Sequence, residues 1–239
     1  TPELLFKSSA GITMRDLNGR YFTALNPEHG EAISNNTLTE QSFRQDSWVV
    51  TNFLNYKNTF GDHTLDLLVG TESTKNNFKG HQALRTNYLF ESPSFYLLSN
   101  GSGVPVISYA NQSANSISSL FSTANWSYGG KYFATATVRK DDTSRFAQAT
   151  ADAIFPSGSI GWLVSSEDWF DSSVFDTLKI RASYGELGNQ EIGISNADIN
   201  ISNINEFTGA YAFGGSGGAT AGAVIASKGN PLLTWETMT

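Results

Sequence analysis

Apolar and polar residues alternate along much of this chain with a period of two, the pattern of a strand that shows different faces to different surroundings. Over 3–14, Leu4, Phe6, Ala10, Ile12 and Met14 share one parity, against Glu3, Lys7 and Ser9. Over 46–60, Trp48, Val50, Leu54 and Tyr56 stand against Thr51, Asn55 and Lys57, with Val49 and Phe53 blurring the division. A run from 63 to about Lys79 carries Leu65, Leu67 and Val69 opposite Asp66 and Glu72. The cleanest pair is 117–128 and 132–139. Leu120, Ala124, Trp126 and Tyr128 are followed by Tyr132, Ala134, Ala136 and Val138, while Ser119, Thr123, Asn125, Thr135, Thr137 and Arg139 take the other parity. Two further runs follow at 155–164 (Ile160, Trp162, Val164) and 178–187 (Leu178, Ile180, Ala182, Tyr184). With a start near 232, the pattern predicts seven strands and the beginning of an eighth.

The gaps between these runs alternate in length. Gly61-Asp62 and Gly129-Gly130 are tight reversals, suited to glycine's tolerance of positive φ, and 165–177 is intermediate. The gaps at about 16–42, 80–116, 140–154 and 188–231 are long and polar. Short turns at one rim and long loops at the other are the rhythm of a transmembrane β-barrel. Aromatic residues near strand ends (Phe60, Tyr128, Tyr132, Trp162, Trp169) fit the interfacial girdles of such barrels. A soluble sandwich also buries one face of each strand, so alternation alone leaves it open.

Composition narrows the choice. Lys and Arg total 15 against 22 Asp and Glu, a net charge of −7 with no basic stripe, which argues against nucleic acid. Charged residues are only 15% of the chain, low for a water-exposed surface. No apolar run is long enough for a membrane helix, and there is no cysteine for disulfides, thiol catalysis or thiolate metal sites. Thr1-Pro2-Glu3 enters a strand at once, and Leu233–Thr239 ends within another strand-like run, as expected of text interior to a longer chain.

Five segments then carry a family resemblance. They are Arg139-Lys140-Asp141-Asp142-Thr143-Ser144-Arg145-Phe146, Phe155-Pro156-Ser157-Gly158-Ser159-Ile160-Gly161-Trp162, Ser166-Glu167-Asp168-Trp169-Phe170, Leu178–Gln190 and Asn230-Pro231-Leu232-Leu233-Thr234-Trp235-Glu236. In order and spacing they resemble the SusC/RagA-like TonB-dependent outer-membrane transporters of Bacteroidetes, over roughly 117–239. The resemblance implies an all-β fold, with this chain an arc of about seven to eight strands from a transmembrane antiparallel barrel of about twenty-two. Residues 1–239 would be part of the barrel domain, with the plug domain and barrel C-terminus absent from this stretch. It also implies active import of oligosaccharides or peptides across the outer membrane, energised through TonB by way of a missing N-terminal region. A SusD-like surface lipoprotein would serve as lid, and outer-membrane lipid would surround the wall. Two alternatives remain: a soluble or surface-exposed all-β carbohydrate-binding protein, and a passive porin.

Candidate contacts with solute or lid are the loop aromatics Tyr88, Phe95, Tyr96 and Tyr109, then Phe207, Tyr211 and Phe213. Aromatic faces stack on sugars and anchor protein interfaces. Asp66, Glu72, Lys179 and Arg181 lie on the polar parity and are expected to face the lumen. Asp141 and Asp142, with nearby carbonyls, are candidate ligands for Ca²⁺ in an extracellular loop, although the spacing is not that of an EF-hand. Loop-fixing ion pairs are the competing reading, and no other cofactor is expected. Glu167-Asp168 and Glu186/Glu191 show no sign of converging as a glycosidase pair would. With no phosphate loop, zinc motif or nucleophile elbow either, the chain does not read as an enzyme.

Overall fold

In the computed structural model, the described residues are 3–28, 32–171, 175–191, 200–203, 210–212, 219–221, 223–227, 230 and 232–239. Seven strands form one sheet in chain order: β1 (Leu4–Thr23), β2 (Thr37–Phe60), β3 (His63–Thr86), β4 (Val106–Tyr128), β5 (Tyr132–Thr143), β6 (Asp152–Leu163) and β7 (Lys179–Gly185). Each strand pairs with its sequence neighbour, which short reversals allow without any crossover. Gly61, Gly129 and Gly130 adopt φ of +59°, +55° and +68°, the left-handed conformation the tight reversals require.

The strands outrun their apolar patterning. Polar stretches such as Arg15–Arg20 and Lys75–Arg85 belong to β1 and β3. The long gaps therefore shorten to 24–36, 87–105 and 144–151. The physical reason is that ladder hydrogen bonds use the backbone, so pairing continues wherever a neighbouring strand is present, whatever the side chains. Likewise Lys140–Thr143 is strand and not loop. The start expected near 232 also moves. Strand β13 (Glu236–Met238) pairs with β8 (Leu187–Asn189) in a separate two-stranded sheet. Within 188–231 lie β9 (Asn200–Asn203), β10 (Ala210–Ala212), β11 (Ala219–Ala221) and β12 (Ala223–Ser227), paired as β10–β11 and β9–β12.

The chain divides into two units. One comprises Thr1–Ser9, Thr51–Ser73 and Ser116–Thr239; the other comprises Ala10–Val50 and Thr74–Asn115. In the first, the β4–β7 register sorts the two faces. Tyr128–Tyr132–Trp162–Ile180, Trp126–Ala134–Ile160–Ala182 and Ala124–Ala136–Gly158–Tyr184 form three apolar rows. On the other face, Asn125–Thr135–Ser159–Ser183 and Thr123–Thr137–Ser157–Gly185 are polar or small. No second sheet covers the apolar rows among the described residues: Ile160 is 66% exposed, Tyr184 61% and Ile180 55%. A water-soluble sandwich would bury this face against its partner sheet.

Buried apolar side chains gather instead at the loop end of the first unit, where Phe146, Phe155 and Trp235 pack together with Ala153 and Leu233. In the second unit, Leu38 near the start of β2 is fully buried, and Tyr88 is buried at the head of the 87–105 loop.

Candidate functional site

The polar face of the first unit carries a charged network. Arg139 Nε donates to both Asp141 oxygens at 2.7 and 3.0 Å. Its Nη2 donates to Ser119 Oγ at 2.8 Å and reaches Glu72 Oε1 at 3.3 Å. Thr51 donates to the other Glu72 oxygen at 3.1 Å, and the guanidinium lies 5.8 Å from the centre of the Phe121 ring. The pleat explains the assembly: Glu72, Ser119, Arg139 and Asp141 all lie on the polar parity of adjacent strands, so their side chains meet. Asp66 takes the Asn55 amide on the same face.

Lys179 and Arg181 share that face as well. A Cβ at Gly161 would stand 3.5 Å from Lys179 Cε, 3.6 Å from Arg181 Cγ and 3.6 Å from Phe133 Cβ, so the two basic stems lie over this glycine. Lys179 Nζ sits 4.1 Å from the Phe133 ring centre, a cation–π contact. The structure thus unites Glu72 with Arg139 and places Lys179 and Arg181 together, in two groups on one polar face.

The Asp141-Asp142 pair does not converge. Adjacent strand residues point to opposite faces, and Asp141 is occupied by Arg139. Among the described residues no three His, Asp or Glu are grouped as metal ligands. Glu167 and Asp168 both approach Lys131, at 3.2 and 3.6 Å. Glu186 accepts from Tyr184, and Glu191 pairs with Arg145 at 2.7 Å, so none of these carboxylates faces another across a cleft.

Loop 87–105 of the second unit is pinned by side chains distant in sequence. Asn36 Oδ1 accepts from the Tyr88 N–H at 2.6 Å, and its Nδ2 donates to the Tyr88 carbonyl and to Glu91, each at 2.9 Å. Glu91 also accepts the Leu25 N–H at 2.9 Å, and these hydrogen bonds hold its carboxyl below the ordinary range. Arg85 donates to the carbonyls of Gly103 and Leu98, and Arg20 to that of Tyr96. Tyr88 is 6% exposed and meets Phe22 edge-on at 5.5 Å; burial raises its phenol pKa. Tyr96 stacks on the other side of the same ring, 4.0 Å between centres. Phe95 is exposed beside Phe90, with Leu89 and Leu97 also open to solvent.

Of the remaining candidates, Tyr109 lies in β4 and Tyr211 in β10 opposite Thr220, and their side chains lie outside what the structure describes. Phe207 and Phe213 fall outside the described residues.

Two arrangements went beyond the sequence pattern, which marked the girdle aromatics but neither their Glu167 acceptor nor the packing at the loop end. At the turn rim, Glu167 Oε1 accepts from Tyr132 OH at 2.6 Å and Trp162 Nε1 at 2.9 Å, tying the link after β6 to the aromatic row. The Tyr128, Tyr132, Trp162 and Trp169 rings follow one another at 6.2–6.4 Å. At the loop end, Trp235 donates from Nε1 to the Ala151 carbonyl at 2.9 Å and meets Phe146 and Phe155 edge-on. Thr150 donates to the Leu233 carbonyl, and Thr143 to Gln190, each at 2.6 Å. Four of the five family segments therefore converge on one cluster, although Trp235 is separated from Ala151 by 84 positions.

Comparison with known proteins agrees. The family described as "TonB dependent receptor-like, beta-barrel" matches residues 4–239. TonB-dependent receptor P3 of Formosa agariphila is 33% identical over 188 residues, 78% of this chain and 18% of that protein. TonB-dependent receptor SusC of Bacteroides thetaiotaomicron is 28% identical over 191 residues, again 78% and 18%. Among solved structures, the RagAB peptide transporter superposes with a TM-score of 0.83 at 25% identity, over 99% of this chain and 25% of that one. The chain thus spans about a fifth of the length of the curated relatives it matches. It belongs to the TonB-dependent receptor family, as a homologue of the SusC/RagA-like outer-membrane receptors.

Proposed function

We propose that this chain is a stretch of the barrel wall of a SusC/RagA-like importer of oligosaccharides or peptides. The observation that carries the reading is the pairing of an uncovered apolar face with an ion-paired polar face on the same strands. In water, an exposed apolar surface costs about 25 cal/mol per Å², and patches this extended mark a contact surface. In a bilayer the same rows meet acyl chains at no such cost. Every backbone group in the hydrocarbon must then be paired, which requires a closed barrel of about twenty-two strands. The rest of the protein would supply the remaining strands, the plug and the TonB-engaging N-terminal region.

In this reading Glu72, Arg139, Lys179, Arg181 and Asp66 line the lumen, where a fixed polar lattice faces solute and plug. The short reversals face the periplasm, and loop 87–105 faces outward. Leu89, Phe90, Phe95 and Leu97 then form an exposed apolar tip for a SusD-like lipoprotein or the solute, while Tyr88 and Tyr96 hold the loop in shape. The likeness to the RagAB peptide transporter supports peptides as one of the two solute classes. The role is transport, and no step calls for a catalytic residue.

The test is uptake by cells carrying the full-length protein, using labelled peptides and oligosaccharides, with and without a proton-gradient uncoupler. Uncoupler-sensitive uptake of one class supports the reading. Uptake indifferent to the uncoupler would make the protein a passive porin. Recovery of the full-length protein as a freely soluble species would return the soluble sandwich.

A further inference from the structure

We propose that the lipid-side surface at the loop ends of β3 and β4 binds the phosphates of an outer-leaflet glycolipid, through Lys75, Lys79 and His81. The proposal rests on the transmembrane reading, which sets this surface against the outer leaflet.

Contacts within the second unit sort its faces. Val49 lies against Gly11, Gln41 against Gly19 and Phe43 against Gly80, and Asn76 bonds Asn115. These side chains occupy the polar face, so their sequence neighbours occupy the other. With Phe43 against Gly80, antiparallel pairing puts Ser42 opposite His81, Arg44 opposite Lys79 and Trp48 opposite Lys75. Exposed Ile12, Met14 and Trp48 mark the apolar level on this face. A tryptophan beside a lysine is the usual boundary between hydrocarbon and headgroups.

Beyond that level β3 is cationic on this face, while β1 and β2 add Asp16, Glu40 and Asp46. On this parity, β3 from 75 to 85 reads Lys, Asn, Lys, His, Ala, Arg, and β4 from 106 to 114 reads Val, Ser, Ala, Gln, Ala. Neither carries a carboxylate, in a chain whose net charge is −7. Lys75, Lys79 and His81 are exposed and form no ion pair among the described residues, whereas Arg44 is held by Asp46 at 3.0 Å. The two lysines stand about 13 Å apart along the strand. Next to His81 opens a cleft of about 350 Å³, lined by Arg20, Glu40, Ser42, His81 and Leu98 among others, so that the sugar sits there and the phosphates on the two lysines. Its lining is mixed and suits a phosphorylated sugar more than an acyl chain. Acyl chains would instead lie along Ile12, Met14 and Trp48.

The experiment uses the full-length protein in mild detergent, titrated with phosphorylated lipid A and followed by native mass spectrometry. The triple variant Lys75→Gln, Lys79→Gln, His81→Gln should bind at least tenfold more weakly than wild type, and Lys75→Arg, Lys79→Arg should bind like wild type. Dephosphorylated lipid A should bind wild type and triple variant alike and weakly. Equal binding of phosphorylated lipid A by wild type and triple variant would overturn the proposal, as would its displacement by inorganic phosphate alone. Heat-modifiable migration of both proteins keeps this result separate from the transmembrane reading. Loss of that signature in wild type would sink both.

Discussion

Single side chains hold the pieces that the strand ladder leaves loose. Asn36 satisfies both backbone groups of buried Tyr88, so Asn36→Ala leaves a buried N–H and C=O without their partner. Such loss costs about 1–3 kcal/mol. We expect loop 87–105 to become the preferred site of limited proteolysis while the sheet stays intact; unchanged cleavage would refute this. In the first unit, Glu167 gives a pH dependence. Its carboxyl is held below the ordinary range, first by the Tyr132 hydroxyl and then by Trp162 N–H, both of which favour the charged form. Its folded pKa is thus lower than its unfolded value of about 4.3. Its stabilising effect is present above that value and disappears as pH falls through the folded pKa. Hydrogen-exchange protection around residues 164–171, taken relative to the intrinsic rate, should fall on acidification below about pH 4, and Glu167→Gln should show the lower protection already at neutral pH with little further change. Lys131 moves the other way. Its pKa is raised chiefly by the Glu167 hydrogen bond, so its contribution holds below its unfolded value and is lost as pH rises through the folded one.

At the scale of elements, β5 and β7 were legible in advance because period two is a local property, complete within eight or ten residues. The extension of β1 through Arg15–Arg20 was not, since nothing in that polar text shows that a neighbouring strand lies alongside. The convergence of Phe146, Phe155 and Trp235 was hidden for the same reason: its partners are distant in sequence and carry no shared periodicity. This cluster joins β6 to the segment beyond residue 230 and depends on a close approach. A Cβ at Gly188 would drive into the Phe155 ring. Gly188→Ala must therefore move a packed aromatic, at about 1–3 kcal/mol for such overpacking. The expected readout is altered near-ultraviolet circular dichroism and faster cleavage around residues 186–191. A spectrum and cleavage rate matching wild type would show that the ring has room to yield.

For the whole molecule, the two faces of the strands make opposite predictions. Ile160 lies in the middle of the uncovered apolar rows, and in the proposed transmembrane reading Ile160→Arg would put a charge against lipid, at about 2–4 kcal/mol near the midplane. Folding of the full-length protein into vesicles should fall accordingly, while Ile160→Leu should fold like wild type. On the polar face, Lys179→Ala and Arg181→Ala should leave assembly unchanged and alter the uptake rate. If Ile160→Arg folds normally and the polar-face variants do not, the faces have been assigned backwards.

The sequence by itself determined the seven strands of the main sheet, their parity and the family, because alternation and motif order are written in neighbouring residues. It also separated the short reversals from the long connections through their glycines. Only the tertiary structure decided where the strands end, that Tyr88 and Tyr96 pack inward while Phe95 does not, and that Glu72 meets Arg139 across 67 positions. Those outcomes depend on which strands lie side by side and in what register. Register is a property of pairs of distant segments, invisible until the chain is folded.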